Sequence, residues 1–475
     1  MKRAVYLLVL ALPILTVKSQ QTLTLEECRK MAIENSETLK QAEMAIEKAR
    51  AERKAVQTMY FPRLSGSFTG IWLNKDIELE MYLPTVVPNP ATGELVPNIM
   101  TDPLGQPVTG PDGNPVFNMY AWLPLELSLK GAYMAGINIE QPVFTGGKIL
   151  AGNKMAAIGN EMAAFNKELQ LMNTIVEADQ AYWLFISVNE KVILAEKAVE
   201  MLDSLTSRVK NAYETGLVSE NELMKAQVRR NKAKLDLQKA KNGCELARMS
   251  LCRVAGLDLN TLLIVPDSTI EINNQILLKA GKEDITKRTE YRLMEKSIAL
   301  EAQKTKIIRA DYLPVAGIRA GYNYLGGIDF GTSDYATNNM SVMASLSVPI
   351  FHWGEGKQKI KSARIDMQIK ELELEKNAKL LHLETEQARF NLMDASSRVI
   401  LSEAALAEAD ENLRVSRNNY ELGRELMTDL LIAQTQWQEA YSDLIDAKTD
   451  YRLKETIYLK ASGMLAEPFL VEGSY

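Results

Sequence analysis

Histidine and cysteine are nearly missing from this sequence: its 475 residues include two of the first and three of the second. His352 and His382 lie far from each other and from any recognisable pairing of nucleophile and carboxylate, so acid–base or nucleophilic catalysis has no frame to stand on. The chain is expected not to be an enzyme. Cys244 and Cys252 are eight residues apart in a helical pattern, about 12 Å along the axis. That is too far for a disulfide, and they read as unpaired core residues. An excess of basic charge is missing too. The net charge is −6 with both signs interspersed, which leaves no footprint for nucleic acid. The 21 methionines are scattered through helical core positions, where methionine is an adaptable filler, so no metal or other cofactor is implied.

Long apolar runs are confined to the N-terminus. Residues 1–20 combine basic Lys2 and Arg3, an apolar run from Ala4 to Val17 and small Ser19, the build of a secretory signal peptide. Beyond it, the most hydrophobic segment, LMNTIVEADQAYWLFISV, still carries Glu177 and Asp179, so no membrane-spanning helix is expected. Cys28 follows Glu26 and Glu27 rather than a small apolar triplet, which argues against a lipid-anchoring site.

What the chain does have is a duplication. RVKNAYETGLVSENELMKAQ (208–227) is echoed by VSRNNYELGRELMTDLLIAQ (415–434), with Tyr213, Gly216, Leu223, Ala226 and Gln227 matched to Tyr420, Gly423, Leu430, Ala433 and Gln434 at a constant offset of 207 residues. The same offset carries Pro142, Phe144 and Gly147 onto Pro349, Phe351 and Gly354, and Gly256 onto Gly463. Upstream, Glu43, Ile46, Tyr60 and Pro62 match Glu295, Ile298, Tyr312 and Pro314 at an offset of 252. The two offsets differ by 45 residues, an insertion between Pro62 and Pro142 in the first repeat only. Residues 84–115 hold eight of the 16 prolines and four glycines, so the insertion reads as a long loop.

Alternating segments flank that loop and recur in the second repeat. Leu64, Phe68 and Trp72 fall on one face and Ser65, Ser67 and Thr69 on the other; Val342, Ala344, Leu346 and Val348 oppose Ser345 and Ser347. Residues 318–324 and, less cleanly, 125–143 behave alike. Trp72, Trp122 and Trp353 sit near the ends of these strands, where interfacial aromatics belong. The remainder is helical. Lys148 to about Thr215 has no proline and repeats apolar residues at Phe165, Leu169, Met172 and Val176, then at Leu194, Ala198, Leu202, Leu205 and Val209. Its counterpart runs from about Lys357 to Leu422, with shorter helices near 26–60, 219–255, 284–312 and 426–462. The chain therefore divides into a signal peptide (1–20), a first repeat (21–256), a linker or equatorial segment (257–282), and a second repeat with a short tail (283–475).

Four strands with one apolar and one polar face suit a transmembrane wall, yet a sheet in lipid must close and four strands cannot. Two copies would give eight strands, a barrel just wide enough to be filled by side chains, whereas three give twelve and a wet bore. The fold class is therefore α+β and internally duplicated, with four β-strands per chain contributing to a trimeric 12-stranded transmembrane β-barrel continued by a long α-helical barrel. A periplasmic structural coiled coil without a pore is the alternative, and an envelope enzyme a distant third. The coiled coil leaves the strands unexplained.

The doubled YxxG turns with their following A-Q, the Y-x-P motifs at Tyr60 and Tyr312, and the P-x-F motifs at Pro142 and Pro349 resemble the TolC-like outer membrane efflux protein family over essentially the whole mature chain. The resemblance implies a homotrimeric channel in the outer membrane of a Gram-negative bacterium, with a large periplasmic part. It would contact outer membrane lipid and work with a periplasmic adaptor and an inner membrane transporter, in efflux or type I secretion. It further implies adaptor-docking turns at Gly216, Leu217, Ser219 and Gly423, and a gate at Asp429, Tyr420, Tyr213 and Glu222. In that gate three copies of Asp429 would form an acidic ring favouring cations. Ser219 and Glu222 have capping-box spacing. The second turn departs from the family: Ile432 stands where some relatives have another acid, and Glu425 replaces an arginine, with Arg424 one place early.

Overall fold

A computed structural model describes residues 21–82, 86–118, 124–266, 284–329, 334–466 and 468–469. The signal segment, Trp122 and most of the linker lie outside them.

The chain sorts into two compact units, each drawing on both repeats: residues 1–53, 156–302 and 364–475, and residues 54–155 and 303–363. The first is helical. It contains α1 (Leu25–Asn35), most of α2 (Glu37–Gln57), most of α3 (Lys148–Glu214), α4 (Glu220–Ala255), part of α5 (Thr289–Ala310), most of α6 (Glu355–Glu421) and α7 (Met427–Ala461). α3 and α6 each have 67 residues, and their first and last residues are 207 apart, so each is roughly 100 Å long. The apolar spacing is realised as packing. Leu194, Leu202, Leu205 and Val209 of α3 share one core with Leu413 of α6 and Met427, Leu430 and Trp437 of α7.

The short helices are finer than the periodicity suggests. The segment near 26–60 is broken at Ser36, whose ψ of 117° leaves the helix and whose Oγ accepts from the Leu39 amide, capping α2. α1 is opened by a full capping box between Thr24 and Glu27. A two-residue parallel pair joins β1 (Gln21–Thr22) to a strand at Leu263–Ile264, so residues 263–264 of the expected linker are sheet. Arg29 crosses from α1 to the fully buried Asp179 of α3, donating through Nε and Nη2 at 2.6 Å each, and Thr456 of α7 donates to the same carboxylate at 2.5 Å. Burial, then the Asp179 charge, pushes the neighbouring Cys28 thiol up to about 12.

The second unit is built on an antiparallel sheet. β2 (Arg63–Tyr82), β5 (Pro124–Thr145), β7 (Val315–Asp329) and β8 (Asp334–Ser347) lie in that spatial order. The two repeats are joined where β5 pairs with β7, and among the described residues β2 and β8 each have one unpaired edge. The 45-residue insertion is more ordered than its prolines imply. β3 (Val86–Pro88) and β4 (Leu95–Pro97) form a small hairpin, and two tight turns follow at Asp102–Gln106 and Gly110–Asn114. The Leu263–Ile264 strand is β6 in chain order.

Candidate functional site

Two features of this molecule carry chemistry: the faces of the sheet and the turns that end the long helices. Register fixes the first. Leu64 stands opposite Ile139, Phe68 opposite Ala135, and Tyr322 opposite both Ile137 and Met340, which puts Leu64, Phe68, Trp72, Ile137, Tyr322, Met340 and Val342 on one face. All of these side chains are exposed, and no element among the described residues covers them. The opposite face pairs Ser65 with Asn138, Asn138 with Gly321, and Asn323 with both Gly136 and Asn339. Two glycines leave room for these side chains: a Cβ on Gly136 would stand 2.0 Å from Asn323 Oδ1, and one on Gly321 would stand 2.5 Å from Asn138 Oδ1, so either would push an asparagine aside. The amides of neighbouring strands thus lie flat across the wall. Arg319 pairs with Glu140 at 2.6 Å on this polar face.

The helix turns are two copies of one design. In the first, Gly216 has φ +76°, its amide reaches Tyr213 O at 2.9 Å, and the Leu217 amide reaches Ala212 O at 2.8 Å. In the second, Gly423 has φ +68°, with Gly423 bonded to Tyr420 O at 3.0 Å and Arg424 to Asn419 O at 2.8 Å. This reciprocal pattern closes a helix through a left-handed residue. Nothing lies within 4 Å of where a Cβ would stand at either glycine, so glycine is required by φ alone.

Around the turns the repeats diverge. Ser219 Oγ accepts from the Glu222 amide at 3.4 Å and so caps α4, but no return bond from the Glu222 carboxylate is found among the described residues, which makes the expected capping box half of one. Leu426 starts α7 with no side-chain cap. Where the first repeat packs Val209 and Val218 into the core, the second has Ser416 donating to Glu425 at 2.8 Å. Sequence pattern gives no sign of that bond, because its partners are nine residues apart across the turn.

The expected gate residues are only partly assembled. Tyr420 is half-buried, and burial followed by the Glu222 carboxylate pushes its phenol above the usual range, against the pull of Arg208. Arg208 of α3 pairs with Glu421 of α6, a bond between the two helical pairs that sequence reasoning missed. Tyr213 is exposed. Asp429 lies exposed in the first turn of α7, its amide bonded to Leu426 O at 3.1 Å. Leu217 is 80% exposed at the turn.

With this geometry in hand, residues 292–459 match the family described as outer membrane efflux protein. The fold agrees over nearly the whole chain. The outer membrane channel CmeC of Campylobacter jejuni superposes with a TM-score of 0.69 over 94% of this chain and 88% of its own, at 16% identity. The chain is similar to the TolC-like outer membrane efflux proteins, in sequence over residues 292–459 and in fold over nearly its whole length. Further likeness is structural more than sequential. VceC of Vibrio cholerae superposes with a TM-score of 0.68 over 92% of this chain and 96% of its own, at 14% identity. Outer membrane protein TolC of Vibrio cholerae is 21% identical over 290 residues, 59% of this chain. That match spans 64% of the relative, just under two thirds of its length. The family consists of channel proteins rather than enzymes. Among the described residues no helix is long and apolar enough to cross a membrane, and no group of three or more His, Cys, Asp or Glu is placed to hold a metal.

Proposed function

We propose that three copies of this chain form a twelve-stranded barrel through the outer membrane of a Gram-negative bacterium, and that the assembly is the passive outer duct of an efflux or type I secretion machine. One observation carries the reading: a four-stranded sheet with two free edges, a bare apolar face and a polar face of Ser, Asn and Gly. A free edge in lipid leaves backbone groups unpaired, so the sheet needs partners, and in a ring of three the β8 edge of each copy meets the β2 edge of the next. Three copies put Ser65, Ser67, Asn138 and Asn323 on the bore and Phe68, Trp72 and Val342 toward lipid. The pore-free coiled coil gives the sheet no use.

The helical unit serves the same duct. The turns at Gly216, Leu217, Ser219 and Gly423 present backbone and an exposed leucine to a periplasmic adaptor, which links the channel to an inner membrane transporter. Tyr420, Tyr213 and Glu222 constrain the tip, and three Asp429 carboxylates form a cation-favouring ring. The test is single-channel recording after reconstitution into planar bilayers. The reading expects a discrete conductance whose cation preference falls in Asp429→Asn. No conductance refutes the channel; conductance with unaltered selectivity removes the ring alone.

A further inference from the structure

Charge on the polar face of the sheet is confined to one row. Register sets Arg63, the first residue of β2, opposite Glu140 of β5, Glu140 opposite Arg319 of β7, and Arg319 opposite Met343 of β8. These four positions lie two residues from Ser65, Asn138, Gly321 and Ser341 on their strands, so they share the polar face. Every other paired position on that face, from Ser347 out to Thr69 and Thr337, is uncharged. Arg319 Nη2 donates to Glu140 Oε1 at 2.6 Å, which engages the one carboxylate of the row. Arg63 is exposed and, among the described residues, has no carboxylate within ion-pair distance. With two arginines and one glutamate, the row carries one net positive charge per copy. At the repeat offsets Arg63, Glu140 and Arg319 fall on Val315, Ser347 and Ser67, so the row is not a by-product of the duplication.

Neither wetting nor strand pairing calls for this row. Serine and asparagine already make the face polar, and an exposed ion pair adds little to stability. Arg63 has no such pair to make. What the row does follows from closing the sheet into a barrel of three copies. The three rows then stand at one level of the bore and gather six guanidiniums and three carboxylates into a belt with three net positive charges, on a wall that is otherwise neutral over the paired rows. A ring of one charge raises the local concentration of the opposite charge and favours its passage. We propose that Arg63, with Arg319, makes the barrel section of the duct select anions, so that organic anions such as carboxylates and sulfonates pass it more readily than cations of the same size. This rests on the membrane-barrel reading and adds to it the substrate class that the barrel favours, opposite in sign to the Asp429 ring proposed for the turns.

The test is the reversal potential of the intact protein in planar bilayers across a potassium chloride gradient, read for the parent, Arg63→Lys, Arg63→Gln and Glu140→Gln. Arg63→Gln leaves only the neutral Arg319–Glu140 pairs and should shift the chloride-to-potassium permeability ratio toward the cation. Glu140→Gln doubles the net positive charge of the belt and should shift the ratio toward the anion. Arg63→Lys should match the parent. Both shifts should grow as the salt is diluted from about 0.1 M to about 0.01 M, because the Debye length lengthens from about 10 Å to about 30 Å. Disturbed folding has no reason to follow the sign of the charge, so opposite shifts separate the belt from a structural effect. The same directions should hold with potassium benzenesulfonate in place of the chloride; their loss there overturns the organic-anion class. A conducting channel whose ratio Arg63→Gln leaves unmoved, or which Arg63→Gln and Glu140→Gln shift the same way, overturns the belt and leaves the channel reading standing. A parent without conductance overturns the channel reading and the belt with it.

Discussion

Replacing Asp179 with asparagine should loosen α1 from the helical unit without unfolding the rest. The native carboxylate is completely buried and takes three hydrogen bonds, two from Arg29 and one from Thr456, all between 2.5 and 2.6 Å. Asparagine keeps the shape but offers an NH₂ group to a site where every neighbour is a donor, and it leaves the guanidinium unbalanced. Removing one partner of a buried ion pair costs roughly 3–5 kcal/mol. The Arg29 side chain is 19% exposed, so water takes up part of the freed charge. The loss should therefore sit near the lower bound, about 3 kcal/mol, or about two decades in the opening equilibrium. Amide hydrogen exchange measures it directly: α1 amides should exchange on the order of a hundred times faster, while those around Leu430 and Ala433 of α7 keep their protection. Arg29→Met combined with Asp179→Leu should recover most of the loss, because burying neither charge is cheaper than burying one. Unchanged α1 exchange in Asp179→Asn, or a double variant as labile as the two single changes added together, would refute the clamp.

Cys28 gives a second prediction. Its folded pKa of about 12 lies above its ordinary value of 9.0, so between those values the unfolded chain has lost a proton that the folded chain keeps, and stability falls as pH rises. The stability loss should approach about 1.4 kcal/mol for each pH unit above 9. Cys28→Ala should flatten this alkaline limb in chemical denaturation, and native Cys28 should resist alkylation at pH 8. Leu217→Asp changes an exposed turn residue and should abolish export while leaving assembled protein in the outer membrane; loss of assembly would make the turn structural only. Gly423→Ala forces a Cβ into the left-handed region at a cost of about 1–2 kcal/mol, which should appear as faster exchange confined to the Tyr420–Leu426 turn.

The parts of this fold legible in the sequence are those written locally and written twice. The proline-free periodicity of α3, together with Gly216 and Gly423, gives the long helices and their ends to within a few residues, because a repeat constrains both copies at once. Alternation gives both faces of the sheet, since side chains on a strand have period two. Features requiring distant partners are silent. β1 exists only because Leu263–Ile264 lies beside it, and the Arg29–Asp179 clamp spans 150 residues. Ser36 is different: the cue of a serine capping a new helix is present, but continuous apolar spacing on both sides masks it. Around the turns that end the long helices, residue types are legible and their pairings are not. The approach of Glu222 to Tyr420 and of Arg208 to Glu421 is set by how the two helical pairs pack.

The central claim is that this sheet closes only by borrowing strands from two more copies. Native mass measurement of the assembly extracted from the outer membrane in mild detergent tests it most directly. Three mature chains per particle is the predicted result; a particle of one chain, or of two, would contradict it.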